Sequence, residues 1–269
     1  MLAFSNEYSA LIRTYNCQKT LPATLRSLEN QTHRPSTYVI VDSGSTDNTL
    51  TLVPTGALVL PFVGRSFNYS QALNQGLEHI ATQFVLIISS HTALVNSEAI
   101  GHAIKLLESD QKIGAAYFCF DNTTPLRYEL IDVRTFTGFN GLSNSCSLIK
   151  VPLLRERPFR EDVFTAEDQE WARWLFTEKQ MTVACFSGAG IVNRNPLASS
   201  IRKRTNEYIA VAYFTNRCLL KWHNILGVAC RVVSPRASVR PRERLICLWL
   251  VWRLMVCRVI KPEVTSRYF

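Results

Sequence analysis

Short apolar runs alternate with helix-spaced patterns along most of the chain. Tyr8–Arg13 is an apolar run closed by the polar loop Thr14–Lys19. From about Thr20, residues Leu21, Leu25 and Leu28 recur on one helical face. Pro22 falls in the first turn, where a missing N–H breaks no helical bond. Tyr38–Val41, Ala57–Leu60, Phe84–Ile88, Ile113–Phe120, Asn144–Ile149 and Met181–Phe186 read as further strands. Between them, Ser66–Ile80 carries Ala72, Leu73, Gly76, Leu77 and Ile80 at helical spacing. A second pattern starts near Ser97 with Ile100, Ile104 and Leu107, and a third covers Ala166–Phe176. Asn122–Asn140 is loop-rich, with room for one strand. This rhythm predicts an α/β fold, a mostly parallel sheet with helices on both faces. Ligands of such sheets sit beyond the carboxyl ends of the strands. The loops Thr14–Asn16, Asp42–Asp47 and Ser89–Thr92 are therefore expected to share one crevice.

Composition divides this picture in two. The chain has 269 residues, 47% of them hydrophobic, enough for one sizeable core. The net charge of +9 is concentrated at the end: residues 201–269 hold 14 Lys and Arg against 3 Asp and Glu, while residues 1–200 hold 16 against 18. We therefore expect a boundary near residue 200, between an α/β domain over 1–200 and a basic helical region over 201–269, serving a membrane surface or oligomerisation. Leu245–Ile260 is apolar, with Trp249 and Trp252, but Arg253 and Arg258 interrupt it. It is too short and too charged to span a bilayer. An in-plane helix on an anionic membrane surface fits it better, the alternative being a core-packing or oligomer-forming helix with a solvated basic rim. No nucleic-acid-binding module accompanies the charge. The first residues lack the basic and apolar regions of a secretory signal. The eight cysteines form no Cys-x-x-Cys pair, which argues against a zinc or redox motif. Together these features predict a cytoplasmic protein, peripheral on the inner face of the cell membrane.

Candidate chemistry gathers at the strand ends. Tyr15 and Asp42 close neighbouring strands and could supply a planar slot and an edge-reading carboxylate for a nucleotide base. Gly44 permits a tight turn. Ser45 and Asp47 suit helix capping better than ligand contact. Glu167 and Asp168 open a helix, where the dipole and free N–H groups steady a carboxylate while lowering its basicity.

Four segments carry a family resemblance: Ser9–Asn16 with the helix after it, Val39–Thr49, Phe67–Gly76 and Ala166–Ala172. In order and spacing they resemble the inverting glycosyltransferases of family 2, which have the GT-A (nucleotide-diphospho-sugar transferase) fold, over roughly residues 8–195. The resemblance implies a nucleotide-diphosphate sugar donor and a glycan or lipid-linked acceptor in cell-surface polysaccharide synthesis. It implies Asp168 as the base for the acceptor hydroxyl, with Glu167 orienting it or binding acceptor. The donor-binding set it implies is Thr14, Tyr15, Asn16, Asp42, Gly44, Arg65, Asn74, Ser89, Ser90 and His91. Trp171 is the candidate acceptor-side ring, although its spacing also fits a core position.

Two departures stand out. Most members carry an Asp-x-Asp-like metal motif after the fourth strand, where this chain has Ser89-Ser90-His91, as a subgroup does. Many members also carry a His-x-His further on, where this chain has Asn193-Arg194-Asn195. A divalent cation, Mn²⁺ or Mg²⁺, would then have His91 as its ligand. A lone imidazole is a weak site for hard cations, so weak or absent metal dependence is expected, with His91 and Arg194 offsetting phosphate charge. A non-catalytic relative that binds nucleotide-sugar or glycan is the alternative. A nucleotidyltransferase would want a Gly-rich phosphate loop that Thr14–Lys19 lacks.

Overall fold

The structure is a computed structural model, and it describes residues 7–64, 66–120, 125–193, 201–233 and 241–260. In chain order the elements begin with strand β1 (Tyr8–Thr14), helix α1 (Leu21–Glu29), β2 (Thr37–Asp42), β3 (Leu58–Pro61), α2 (Tyr69–Leu77) and β4 (Phe84–Ser89). Then come β5 (Thr92–Leu94), α3 (Ala99–Ser109), β6 (Ile113–Phe118), β7 (Arg127–Ile131), β8 (Cys146–Lys150) and α4 (Val151–Glu156). The order continues with α5 (Glu167–Thr177), β9 (Thr182–Ser187), β10 (Ile191–Asn193), α6 (Ile201–Ala210), α7 (Trp222–Val233) and α8 (Pro241–Val256).

Eight strands form one sheet in the order β3-β2-β1-β4-β8-β6-β9-β7. Strands β3, β2, β1 and β4 run parallel, as do β6 and β9. Strand β8 is inserted antiparallel between β4 and β6, and β7 closes the edge antiparallel to β9. Phe84–Ile88 of β4 is buried throughout, as a strand covered on both faces must be. One face packs Ile12, Ile40 and Leu86 against Leu25 of α1 and Ile104 of α3. The other packs Leu11, Val41 and Ile87 against Leu73 of α2 and Leu175 of α5. Gly76 lets α2 lie close to the sheet, because a Cβ there would collide with the Leu11 methyl Cδ1.

The pattern over Ser66–Ile80 yields a shorter helix than it predicts. Asn68 is the N-cap, its Oδ1 accepting from the Gln71 N–H at 3.1 Å, so the turn before it stays extended. Thr92 does not belong to a loop. It is buried in β5, which pairs with β10, and Ser90–His91 is a tight turn.

Helices α6, α7 and α8 build a third core. Ile209, Leu254 and Cys257 pack there with Val163 and Phe164, the residues leading into α5. Helix α8 is apolar on two sides. Leu254, and Cys257 just past its end, are buried, whereas Leu245, Leu248, Trp249 and Trp252 are exposed on one stripe, as is Val259 beyond it. Among the described residues, no helix is long and apolar enough to cross a membrane.

Candidate active site

A cleft of about 1370 Å³ opens at the carboxyl ends of β1, β4 and β6, between the start of α5 and one side of α6. That volume exceeds a typical small-molecule pocket of about 300–1,000 Å³, so it has room for two reactants.

The first wall comes from the strand-end loops. Thr14, Tyr15, Asn16, Ser89, Ser90 and His91 all line the cleft. Asn16 adopts φ 45°, a left-handed value that Asn tolerates. Its Oδ1 accepts from the Thr46 N–H at 2.8 Å, while its own N–H donates to Ser45 Oγ at 2.9 Å, so the first loop is latched to the second. Asp42 lies behind this wall. Its carboxylate accepts from Thr14 Oγ1 (2.7 Å), Ser45 Oγ (2.6 Å) and the N–H groups of Gly44 (3.0 Å) and Ser45 (2.8 Å). The edge-reading role expected of Asp42 is thereby corrected: its oxygens are occupied in shaping the loop, and Ser43 and Asp47 form the cleft surface instead. Gly44, at φ 86° with open space around it, makes the turn and does not line the cleft. Asp47 caps the following turn through the Thr49 N–H, as expected, whereas Ser45 serves Asp42.

Two further residues are corrected. Asn74 is outside the cleft, its amide clamping the Phe159 backbone by donating to the carbonyl (2.8 Å) and accepting from the N–H (3.0 Å). Trp171 is fully buried and donates from Nε1 to the Arg157 carbonyl at 2.9 Å. It is a core residue and no acceptor platform, because its helical position points it at the sheet. Arg65, Arg194 and Asn195 lie outside the described residues.

The second wall carries the carboxylates. Ala166, at φ 58°, holds a left-handed conformation that costs a non-glycine residue about 1–3 kcal/mol. It turns the chain into α5, where Glu167 and Asp168 meet the cleft. Asn144 secures both. Its backbone N–H donates to Asp168 Oδ2 (3.1 Å) and its Nδ2 to Glu167 Oε1 (3.1 Å). Asp168 Oδ1 also accepts from the Gln169 N–H at 2.8 Å. Glu167 is buried, whereas Asp168 remains partly open to the cleft. Withdrawal from water, then the neighbouring charge of Glu167, push the Asp168 carboxyl up to about 7, with Glu207 adding to the effect. The helix start was expected to lower its basicity, but burial and like charge outweigh the two N–H donors.

Sequence reasoning missed four residues here. Arg13, one position before Thr14, lays its guanidinium over the Tyr69 ring at 4.6 Å and brings Nη1 within 3.9 Å of Glu167 Oε1. A cation inside an apolar strand pattern was the available signal. Lys203 and Glu207 of α6 line the cleft, paired at 3.7 Å, and nothing local distinguishes them within the basic tail. Asn144 carried no signal either.

Residues 9–157, more than half of the chain, match the sequence model described as glycosyl transferase family 2. The chain belongs to glycosyl transferase family 2. By that membership it is a glycosyltransferase, and its sheet and flanking helices have the GT-A arrangement. No curated protein sequence matches it. Among solved structures it is similar to S. aureus TarS 1–349 (18% identity, TM-score 0.57, 93% of this chain and 80% of that one). It is also similar to the mannosyltransferase PcManGT from Pyrobaculum calidifontis, solved with GDP-Man and Mn²⁺ (18%, 0.60, 93% and 73%). A third is glucosyl-3-phosphoglycerate synthase from Mycobacterium tuberculosis, solved with Mn²⁺, UDP and phosphoglyceric acid (16%, 0.60, 79% and 78%). These identities establish a shared fold.

The family implies a divalent cation beside the turn after β4, and the residues present do not fit one. That turn offers two hydroxyls and the His91 imidazole. Burial, then the positive charges of Lys203 and Arg13, push His91 down to about 4, so cations already surround the proposed ligand. Among the described residues, no group of three or more His, Cys, Asp and Glu side chains is arranged to hold a metal ion. Asn193 of β10, the first position matching the His-x-His, pairs with Thr92 just after the turn.

Proposed function

We propose that this family 2 enzyme transfers a sugar from a nucleotide-diphosphate sugar to a hydroxyl of a glycan or lipid-linked acceptor, with inversion at the anomeric carbon. Structural neighbours solved with UDP or GDP-Man support this donor class. The observation that carries the reading is Asp168: a carboxylate partly open to a two-reactant cleft, held by backbone N–H donors, with its proton affinity raised towards neutrality. In a single displacement the acceptor oxygen attacks the anomeric carbon. Its proton passes to Asp168, and the nucleoside diphosphate leaves from the opposite face. Base strength near the operating pH favours that transfer. Glu167, buried and tied to Asn144, orients the base. A thermal-shift screen against nucleotide sugars, followed by turnover with the stabilising donor, tests the proposal. Donor binding with no turnover towards hydroxyl acceptors or water would make the chain a non-catalytic binder instead.

The C-terminal helices supply the second part of this reading, a seat on the cytoplasmic face of an anionic membrane as part of cell-surface polysaccharide synthesis. The exposed stripe Leu245, Leu248, Trp249 and Trp252, with Val259 beyond it, would bury apolar area at the interface, and the basic excess of this region would meet anionic headgroups. Leu248→Ser with Trp252→Ser should abolish flotation with phosphatidylglycerol vesicles and leave the cleft intact. Equal flotation of the variant, or concentration-dependent dimers that the variant abolishes, would refute the membrane seat.

A further inference from the structure

We propose that Arg13 and Lys203 bind the diphosphate of the donor directly, doing the work of a divalent cation, so that the C-terminal region completes the donor site through α6. This inference rests on the donor reading above and names the groups that would hold the donor's charge.

Arg13 pairs in register with Ser89 across the β1–β4 ladder. Its side chain therefore emerges beside the turn Ser89–His91, where the family's metal motif would stand. Nη1 of Arg13 is buried and meets no hydrogen-bond acceptor among the described residues. The 3.9 Å approach to Glu167 is too long to supply one. A buried guanidinium N–H without an acceptor carries a desolvation cost, which an incoming phosphate oxygen would relieve. Tyr69 stacks on the guanidinium and fixes its plane without consuming its donors.

Lys203 enters the same cleft from α6. Arg13, Lys203 and the turn Ser89–His91 all line the one cleft. Each cation lies near one carboxylate of the acidic group around the base, Arg13 at 3.9 Å from Glu167 and Lys203 at 3.7 Å from Glu207. A diphosphate at the turn would find both positive charges in the same cleft. The same cations that make a divalent metal unwelcome suit an anion with two charges.

The test uses the full-length chain, stripped with EDTA and dialysed, titrated calorimetrically with UDP, GDP and their monophosphates, with and without MnCl₂. One nucleoside diphosphate should bind without metal, and Mn²⁺ should add little. Lys203→Met should weaken the diphosphate by about 10- to 100-fold, the loss of a charge-assisted contact. It should leave the matching monophosphate nearly unchanged, which also reports an intact fold. Lys203→Arg should restore most of the affinity. Binding that appears only with Mn²⁺, or a diphosphate affinity indifferent to Lys203→Met, would overturn this inference and leave the donor reading standing. Failure of both nucleotides to bind under any condition would overturn the donor reading, and this inference with it.

Discussion

The two walls of the cleft are built differently. The wall from the parallel strands β1, β2 and β4 is made of loops that follow directly from strand ends, and Asn16, Asp42 and Ser45 latch the β1 and β2 loops to each other. The opposite wall is assembled from distant parts. Asn144 precedes an antiparallel strand, Glu167 and Asp168 open α5, and Lys203 and Glu207 arrive from α6. The loops of the first wall satisfy one another, while Nη1 of Arg13 beside them has no acceptor among the described residues. The second stores the left-handed Ala166 and a raised carboxyl. Recognition suits the first wall and chemistry the second, because a base needs a perturbed environment and a binding loop needs a stable one.

That contrast makes separable predictions. Asp168→Asn should reduce turnover by about 10²–10⁴-fold while donor affinity, measured by calorimetry, stays close to native. Loss of both together would mean the walls do not divide labour. Trp171→Ala should destabilise the fold by about 3–5 kcal/mol in chemical denaturation, since the ring is fully buried behind the second wall. A variant as stable as the native chain would contradict the core assignment. Gly76→Ala, behind the first wall, should cost about 1–3 kcal/mol through the collision with Leu11, read in the same assay, with Asp168 chemistry preserved in the folded fraction.

The gentlest effect is the pH profile. Turnover should rise through about pH 7 as Asp168 loses its proton, and the acid limb should vanish in Asp168→Asn. His91, held down to about 4, stays neutral throughout and adds no limb of its own. The carboxyl titrates near 4 when unfolded, so the native state holds the extra proton between about pH 4 and 7. Its contribution to stability is complete below that window and is lost as pH rises through it. Melts across this range check the sign.

Much of the fold was legible because strand burial and helical spacing write a period into the residue order: Leu21, Leu25 and Leu28 fall on the inner face of α1. The site was legible where chemistry stood at a strand end, as with Thr14–Asn16 and Ser89–His91. It was misread where a side chain's partner lies elsewhere. Asp42 serves its own loop, Asn74 clamps Phe159, and Trp171 reaches the Arg157 carbonyl. Such roles depend on which backbone passes nearby, and no spacing rule records that.

Residue order alone settled the alternating α/β architecture, the family motifs, the missing acidic metal pair and the concentration of basic charge at the end of the chain. Folding settled the rest. Burial set the proton affinity of Asp168, the insertion of β8 between β4 and β6 delivered Asn144 to both carboxylates, and α6 brought Lys203 to the cleft. Periodicity acts over a few residues, whereas desolvation and charge coupling act through space between groups that the chain keeps far apart.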